Sequence, residues 1–190
     1  SAASDVYKRQ IMELAPDHAD SDALARAVIA ANLNLIKAPA KGIGREGMGT
    51  TLTAAILEGE RLIIAQVGDS RAYLLHEGKL QQLTRDHSLM ADMIEAGQLT
   101  EAEARVHPNR SVITRAIGSD PHMQPDIYEL NVETGDRILL CSDGICTMIE
   151  DPQIEHVMGH SRTAQECADN LVAAALEAGG FDNATAVVVD

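Results

Sequence analysis

The sequence of 190 residues is poor in aromatic side chains, which make up 2% of it, with no Trp and a single Phe. Its core must therefore rely on Leu, Ile, Val, Ala and Met, and it offers few rings on which bases could stack. Cysteine is scarce as well. The three cysteines, Cys141, Cys146 and Cys167, show no C-x-x-C pair and no zinc-type spacing with histidine. We expect a reducing, cytoplasmic environment.

Basic residues are also few, because 15 Lys and Arg face 29 Asp and Glu and the net charge is −14. This charge repels phosphate backbones and argues against nucleic acid as a partner. It suits cation binding, although an acidic surface that only keeps the chain solvated gives the same composition. Long apolar runs are missing too: none reaches the roughly 18 residues that span a bilayer, so no membrane partner is expected.

The patterns that are present indicate one α+β domain. Apolar positions recur at helical spacing from Asp20 or Ser21 to about Lys37, and the glycine-rich segment 40–49 predicts a loop. Strands are predicted at 50–57, 61–67, 72–75 and 80–83, as one antiparallel meander, and a later hairpin is predicted from strands 128–132 and 137–142.

Helix signals flank these strands. A short helix is predicted at 88–96, and Thr100 to Glu103 has the pattern of a capping box, with His107-Pro108 ending that helix. Further helices are expected from Asp151 and from Thr163 to about Ala178, before a buried strand at 184–189. Hairpins in series with helices at both ends predict antiparallel sheets covered by helices.

Three aspartates adjoin apolar strands and carry the candidate chemistry: Asp69 in Gly-Asp-Ser-Arg, Asp143 in Ser-Asp-Gly, and Asp182 in Phe-Asp-Asn. A carboxylate beside a buried strand is costly unless it is paired, capped or bound to a metal. Oxygen-only ligands favour Mg²⁺ or Mn²⁺ over Zn²⁺. Taken singly, each Asp is equally well explained as a turn former or a helix cap.

The order of short blocks around these aspartates makes the pattern specific. The series resembles the bacterial protein phosphatase 2C family, metal-dependent protein serine/threonine phosphatases, throughout residues 47–189. The blocks are GMGTT from Gly47, VGDSRAYLL from Val67, LTRDHS from Leu83, VITRAIG from Val112, GDRILLCSDG from Gly135 and GGFDNATAVVV from Gly179.

The resemblance implies two packed, mostly antiparallel sheets flanked by helices in an α-β-β-α sandwich. It implies hydrolysis of phosphoserine and phosphothreonine in proteins by a metal-activated water. Asp143 and Asp182 inherit the catalytic role as ligands of the catalytic ion, and Asp69 inherits a place at a weaker accessory ion. The complete domain would hold two or more Mg²⁺ or Mn²⁺ ions. The expected partners are phosphorylated proteins and an opposing serine/threonine kinase, and we expect a monomer.

The sequence departs from the family at its first metal motif, because no Asp-Gly-x-Gly-Gly occurs in the 190 residues. Asp17, Asp20 and Asp22 do not replace it, since they occupy a predicted helix start. We therefore expect an N-terminally truncated domain at 11–190 behind a non-native leader at 1–10, with little activity. The alternative is a non-catalytic, phosphatase-like binding or regulatory module.

A flap predicted at about 88–118 contains the densest basic cluster of the chain: Arg105, His107, Asn109, Arg110 and Arg115. It would steer phosphoprotein substrates or, equally, form a solvated loop with ion pairs to Glu101 and Glu103. Ser70 and Arg71 are interpreted as turn and structural residues. His87 is interpreted as a capping and packing residue rather than an acid or a phosphate contact.

Overall fold

The first helix begins where its sequence pattern predicted. The structure is a computed structural model that describes residues 20–190, so the predicted leader at 1–10 and Asp17 lie outside the described residues. Helix α1 (Ser21–Lys37) begins where the Asp20 carboxylate accepts hydrogen bonds from the Asp22 and Ala23 amides at 2.9 and 3.3 Å. Asp20 and Asp22 thus serve the helix start, as the sequence indicated.

Two antiparallel sheets form the centre of the described chain. The first sheet has the strand order β1-β2-β5 and the second the order β4-β3-β6-β7. The strands are β1 (Leu52–Glu58), β2 (Arg61–Val67), β3 (Arg71–His76), β4 (Lys79–Gln82), β5 (Asp126–Asn131), β6 (Arg137–Cys141) and β7 (Ala186–Val189).

The predicted four-stranded meander is wrong, although its strands are placed correctly. β1 pairs with β2 and β3 pairs with β4, but β2 and β3 belong to different sheets. The chain crosses from one sheet to the other at residues 68–70. Six consecutive residues of β2 are buried, because α1 covers one of its faces and the second sheet covers the other.

The predicted hairpin of the fifth and sixth strands is also wrong. β5 pairs with β2, aligning Tyr128 with Ile64, whereas β6 pairs with β3, aligning Leu139 with Tyr73. The intervening turn does form, since the Asp136 amide donates to the Glu133 carbonyl at 3.0 Å. A turn of this kind reverses the chain locally, but burial of apolar faces decides which strand becomes the partner.

The described chain has four layers, a helix, two sheets and a further layer of helices, and an apolar cluster packs between each neighbouring pair. This confirms the predicted α-β-β-α sandwich. Alternate residues of β2 divide between two of these clusters, as expected for side chains that point to opposite faces. Between α1 and the first sheet lie Leu24, Val28, Leu35, Ile63 and Val67. Between the sheets lie Leu62, Ile64, Ala72, Leu74 and Ile138. Between the second sheet and its helices lie Tyr73, Leu139, Ile154, Met158 and Leu171.

The remaining helices follow their local signals, with one unpredicted addition. They are α2 (Leu89–Glu95), α3 (Glu101–Val106), α4 (Asp143–Cys146), α5 (Asp151–His160) and α6 (Ala164–Glu177). Thr100 and Glu103 form the predicted capping box, and the Thr163 hydroxyl accepts the Glu166 amide at 3.1 Å. The short α4 was not predicted. Among the helices within residues 20–190, none has the length and apolar composition needed to cross a bilayer.

The last strand corrects a further expectation, because β7 is not buried. It is the terminal strand of its sheet in the described chain, and Val187 and Val189 are 52% and 40% exposed. The sequence Ala-Val-Val-Val is apolar on both faces, which predicts a central strand. Position within the sheet, rather than composition, decides its burial.

Candidate metal centre

Asp69 occupies the crossing between the two sheets. It follows Gly68, whose φ of +107° lies in the left-handed region that favours glycine. A β-carbon on Gly68 would also lie 2.3 Å from Thr51 Cγ2, so the turn passes too close to Thr51, just before β1, for any side chain. The half-buried Asp69 is thereby held at the end of β2, with the Ser70 hydroxyl 3.1 Å from that of Thr51.

Asp143 begins α4 directly after β6, and a second segment of the chain lies against it. Ser142 joins the two segments: its hydroxyl donates to the Asn183 carbonyl at 3.1 Å and accepts from the Thr185 amide at 3.0 Å. Gly144 allows this approach, because a β-carbon there would lie 2.5 Å from the Asn183 carbonyl oxygen. Sequence reasoning missed the role of Ser142, since no local signal marks a contact with a residue 41 positions away.

Asp182 lies beside this contact, in the segment between α6 and β7. Its Oδ1 accepts the Asn183 amide at 2.7 Å, and the residue is exposed. The hydrogen bonds between Ser142 and residues 183–185 therefore bring the Asp182 segment close to Asp143.

The three carboxylates interact electrostatically in series, with Asp143 in the middle. Burial and then the charge of Asp143 raise the pKa of Asp69 to about 6. Burial and then the charge of Asp182 raise the pKa of Asp143 above its ordinary value. Each carboxylate thus has a like-charged neighbour, an arrangement that favours a proton or a bound cation.

The neighbouring cationic side chain does not neutralise this series. The Arg71 guanidinium forms a bidentate ion pair with Asp86, with Nη2 to Oδ2 at 2.7 Å, and its Nη1 donates to the Tyr73 hydroxyl at 2.9 Å. This confirms the structural role predicted for Arg71. Among the described residues, Asp69, Asp143 and Asp182 take part in no ion pair.

The donor set fits a hard divalent cation. It consists of carboxylate oxygens that form no ion pair among the described residues, and such oxygens are the ligands that Mg²⁺ and Mn²⁺ prefer. Within residues 20–190, however, no three His, Cys, Asp or Glu side chains are grouped closely enough to hold one ion by themselves.

The flap runs from β4 of the second sheet to β5 of the first sheet through helices α2 and α3. Its ends are anchored by isolated bridges, Ser88 with Ile113 and Thr50 with Ile117. Arg115 pairs with Asp126. Ion pairs from the flap arginines to Glu101 and Glu103, the predicted alternative, are not found among the described residues. The Glu103 carboxylate instead accepts hydrogen bonds from the Thr100 amide and hydroxyl, both at 2.8 Å.

Replacing Asp69 with Asn is expected to stabilise the metal-free protein at pH 7 by roughly 1 kcal/mol, after allowance for solvent screening. The folded protein keeps a proton on Asp69 up to pH about 6, whereas an ordinary carboxyl loses it near 3.8. The stabilisation from this proton is present at low pH and is lost as pH rises through about 6. The difference in free energy of unfolding between Asp69→Asn and the wild type should therefore grow in favour of the variant as pH rises from about 4 to above 6.

Urea denaturation in EDTA at several pH values between 4 and 8 measures this difference. Asp169→Asn is a matched control, because Asp169 is exposed on α6, where it accepts from Gln165. An Asp69→Asn variant that is less stable than the wild type by the same amount at every pH would contradict the electrostatic account.

Comparisons with known proteins agree on one family. A family model described as Protein phosphatase 2C matches residues 3–184. The serine/threonine phosphatase stp of Listeria monocytogenes is 40% identical over 144 residues, which make up 76% of this chain and 57% of that protein. The chain therefore spans little more than half the length of this curated relative.

Solved structures share the fold over nearly the whole chain. The crystal structure of the Mycobacterium tuberculosis serine/threonine phosphatase PstP/Ppp has a TM-score of 0.90 and 36% identity, covering 98% of this chain and 80% of that one. The catalytic domain of PstP in complex with two manganese ions has a TM-score of 0.84 and 34% identity, covering 99% and 81%. The two-sheet fold is thus shared with a domain crystallised with manganese.

Proposed function

The chain belongs to the protein phosphatase 2C family, and we propose that the full protein containing it hydrolyses phosphoserine and phosphothreonine in other proteins with the help of divalent metal ions. The observation that carries this proposal is the series Asp69, Asp143 and Asp182. The charge of Asp143 raises the pKa of Asp69, and the charge of Asp182 raises the pKa of Asp143. Carboxylates with such like-charged neighbours, and with no ion-pair partner among residues 20–190, are best explained as ligands of cations.

The residues divide into two roles. Asp143 and Asp182 would hold the catalytic ion, and Asp69 together with Asp143 an accessory one; both ions would be Mg²⁺ or Mn²⁺. When bound, such ions supply activation of the attacking water and neutralisation of charge on the phosphoryl oxygens. The chain's own contribution is positional: Ser142 and Gly144 place the Asp182 segment against the start of α4, and the Gly68 turn fixes the backbone at Asp69.

The flap is the part of the chain suited to meet a phosphorylated substrate. Arg105 and Arg110 are exposed there, in a chain whose net charge is −14. Residues 105–115 include three Arg and no Asp or Glu, so this part of the flap can attract phosphate despite the negative charge of the whole chain. We propose that the substrates are phosphoproteins made by a serine/threonine kinase of the same cytoplasm, and that the protein acts as a monomer.

The 190 residues alone are expected to turn over poorly. They contain no Asp-Gly-x-Gly-Gly segment, and the family resemblance places a further metal carboxylate in that motif. A non-catalytic module that binds phosphoproteins or metals is the alternative, and it rests on the same observation. Comparing the 190 residues with the full protein that contains them separates the two.

Phosphate release from a phosphothreonine peptide is the direct test. The full protein is expected to hydrolyse this peptide only with Mn²⁺ or Mg²⁺, to stop in EDTA, and to leave a phosphotyrosine peptide of the same sequence largely intact. The isolated 190 residues should bind Mn²⁺ in calorimetry yet release little phosphate. Binding of Mn²⁺ by a full protein without any hydrolysis would instead establish the non-catalytic module.

A further inference from the structure

Two buried polar side chains, Gln66 and His87, surround the turn that carries Asp69. Gln66 is fully buried, and the His87 side chain is 1% exposed. Buried polar groups cost free energy unless they are hydrogen-bonded, so the partners of these two residues show what they do. Gln66 bonds to the backbone on both sides of Asp69, and His87 bonds to the preceding residue, Gly68.

Gln66 holds the two carbonyl groups that flank Asp69. Its Nε2 donates to the Gly68 carbonyl at 3.0 Å and to the Ser70 carbonyl at 2.6 Å. Its Oε1 accepts from the Thr53 hydroxyl at 2.6 Å, which fixes the orientation of the amide. One amide group therefore joins both ends of the turn and anchors it to β1.

His87 holds the amide and the carbonyl of Gly68. Its backbone amide donates to the Gly68 carbonyl at 2.8 Å, and its Nδ1 accepts the Gly68 amide at 3.1 Å. Because Nδ1 is an acceptor, the ring proton of the neutral imidazole lies on Nε2, which donates to Asp126 Oδ2 at 2.9 Å. Asp126 is held in turn by Arg115 through its other oxygen.

The turn needs such support for two reasons. Glycine has no β-carbon and adopts positive and negative φ about equally readily, so Gly68 alone, with its φ of +107°, does not define one direction for Asp69. Repulsion between Asp69 and Asp143 also favours conformations that separate them. Without the hydrogen bonds from Gln66 and His87, we expect the turn to place Asp69 farther from Asp143 when no cation is bound.

We propose that Gln66 and His87 are positioning residues that hold Asp69 facing Asp143, so that the accessory ion site exists before an ion arrives. This inference rests on the proposed function, because it takes Asp69 as a ligand of that ion. Bonds to atoms behind a metal ligand commonly alter metal affinity by about 10-fold to 100-fold. The competing explanation is that both residues only satisfy buried groups and stabilise the fold.

Two substitutions of His87 separate the explanations, because each preserves one half of the imidazole. In His87→Asn, the amide oxygen takes the place of Nδ1 as acceptor for Gly68 but does not reach Asp126. In His87→Gln, the terminal amide reaches Asp126 as a donor but leaves the Gly68 amide without its acceptor. Gln66→Glu is the companion change, since it keeps the shape and removes the donor to both carbonyls.

Mn²⁺ titration of the full protein by calorimetry is the readout, with stability measured in EDTA alongside. The Mn²⁺ binding step that Asp69→Asn removes identifies the accessory ion. For that step, His87→Gln and Gln66→Glu are expected to weaken affinity by about 10-fold to 100-fold, and His87→Asn by less than about 3-fold. The proposal would be overturned if His87→Asn and His87→Gln weakened Mn²⁺ affinity equally, or if the loss of affinity in each variant simply followed its loss of stability.

Nitrogen-15 spectra of the histidine rings give a second readout that is independent of activity. His87 is expected to show a bare Nδ1 and a protonated Nε2 in its neutral form, and the opposite tautomer would contradict the acceptor role. If Asp69→Asn removes no Mn²⁺ step, the positioning inference fails by itself. Failure of the proposed function appears differently, as absent hydrolysis beside an unchanged Mn²⁺ titration.

Discussion

Replacing Asp143 with Asn in the full protein is expected to lower metal-dependent hydrolysis of a phosphothreonine peptide by at least about 10³-fold. A metal ion contributes several kcal/mol of transition-state stabilisation, and each 1.4 kcal/mol corresponds to roughly a factor of ten. Asp143 is the central member of the series, between Asp69 and Asp182. Its loss therefore affects both proposed ion positions, whereas each neighbour affects one.

The three aspartates should consequently differ in their effects. Asp182→Asn is expected to approach the loss seen at Asp143, because it removes the other proposed ligand of the catalytic ion. Asp69→Asn should reduce the rate much less and mainly raise the Mn²⁺ concentration required. Asp169→Asn, on the exposed face of α6, serves as the matched control and should leave the rate within about 2-fold of the wild type.

A stability measurement separates loss of the metal site from loss of the fold. In EDTA, Asp143→Asn should be at least as stable as the wild type, because it removes a charge that lies between two like charges. Added Mn²⁺ should raise the melting temperature of the wild type but not that of the variant. An active Asp143→Asn variant, or one that Mn²⁺ stabilises as well as the wild type, would refute the central role of Asp143.

Replacing Gly144 with Ala is expected to reduce both stability and activity, for a steric reason. The added methyl group would lie 2.5 Å from the Asn183 oxygen and 2.9 Å from its carbonyl carbon, so the Asp182 segment must move away from α4. Overpacking of this kind costs about 1–3 kcal/mol. A displacement of about 1 Å in a catalytic arrangement can cost about 10²-fold in rate.

Gly159 provides the matched control for this substitution. It lies in α5, a β-carbon there would meet nothing within 4 Å, and neither Gly144 nor Gly159 has a positive φ. Gly159→Ala is expected to raise the free energy of unfolding by about 0.5–1 kcal/mol and to leave the rate unchanged. Urea denaturation and peptide hydrolysis of both variants measure the contrast. Similar behaviour of the two variants would show that the approach of Asn183 is unimportant.

Features encoded by a few neighbouring residues could be predicted from the sequence. Asp20 caps α1, Thr100 and Glu103 form their capping box, and Thr163 begins α6, because each signal lies within one turn of the helix it defines. The strands were located for the same reason, since alternation and turn residues are local. The three aspartates were identified because each stands in a short block beside a strand.

Strand partners could not be predicted in the same way. The turn of residues 133–136 forms, yet β5 and β6 lie in separate sheets, and β2 and β3 separate at Gly68 although they follow each other closely. The apolar run of β7 is exposed along one face because it is the edge strand of its sheet in the described chain. Each of these outcomes depends on which surfaces remain to be covered once the other elements have packed.

The sequence by itself determined the strands, the described α-helices other than the short α4, the family and the identity of the three candidate aspartates, because these depend on residues that are near one another in the chain. Only the tertiary structure decided how the aspartates are arranged. Their order, with Asp143 between Asp69 and Asp182, arises from the Ser142 contact with residues 183–185 and from the turn held by Gln66 and His87. Such contacts join distant segments, and the free energy that selects them belongs to the packed fold rather than to any local pattern.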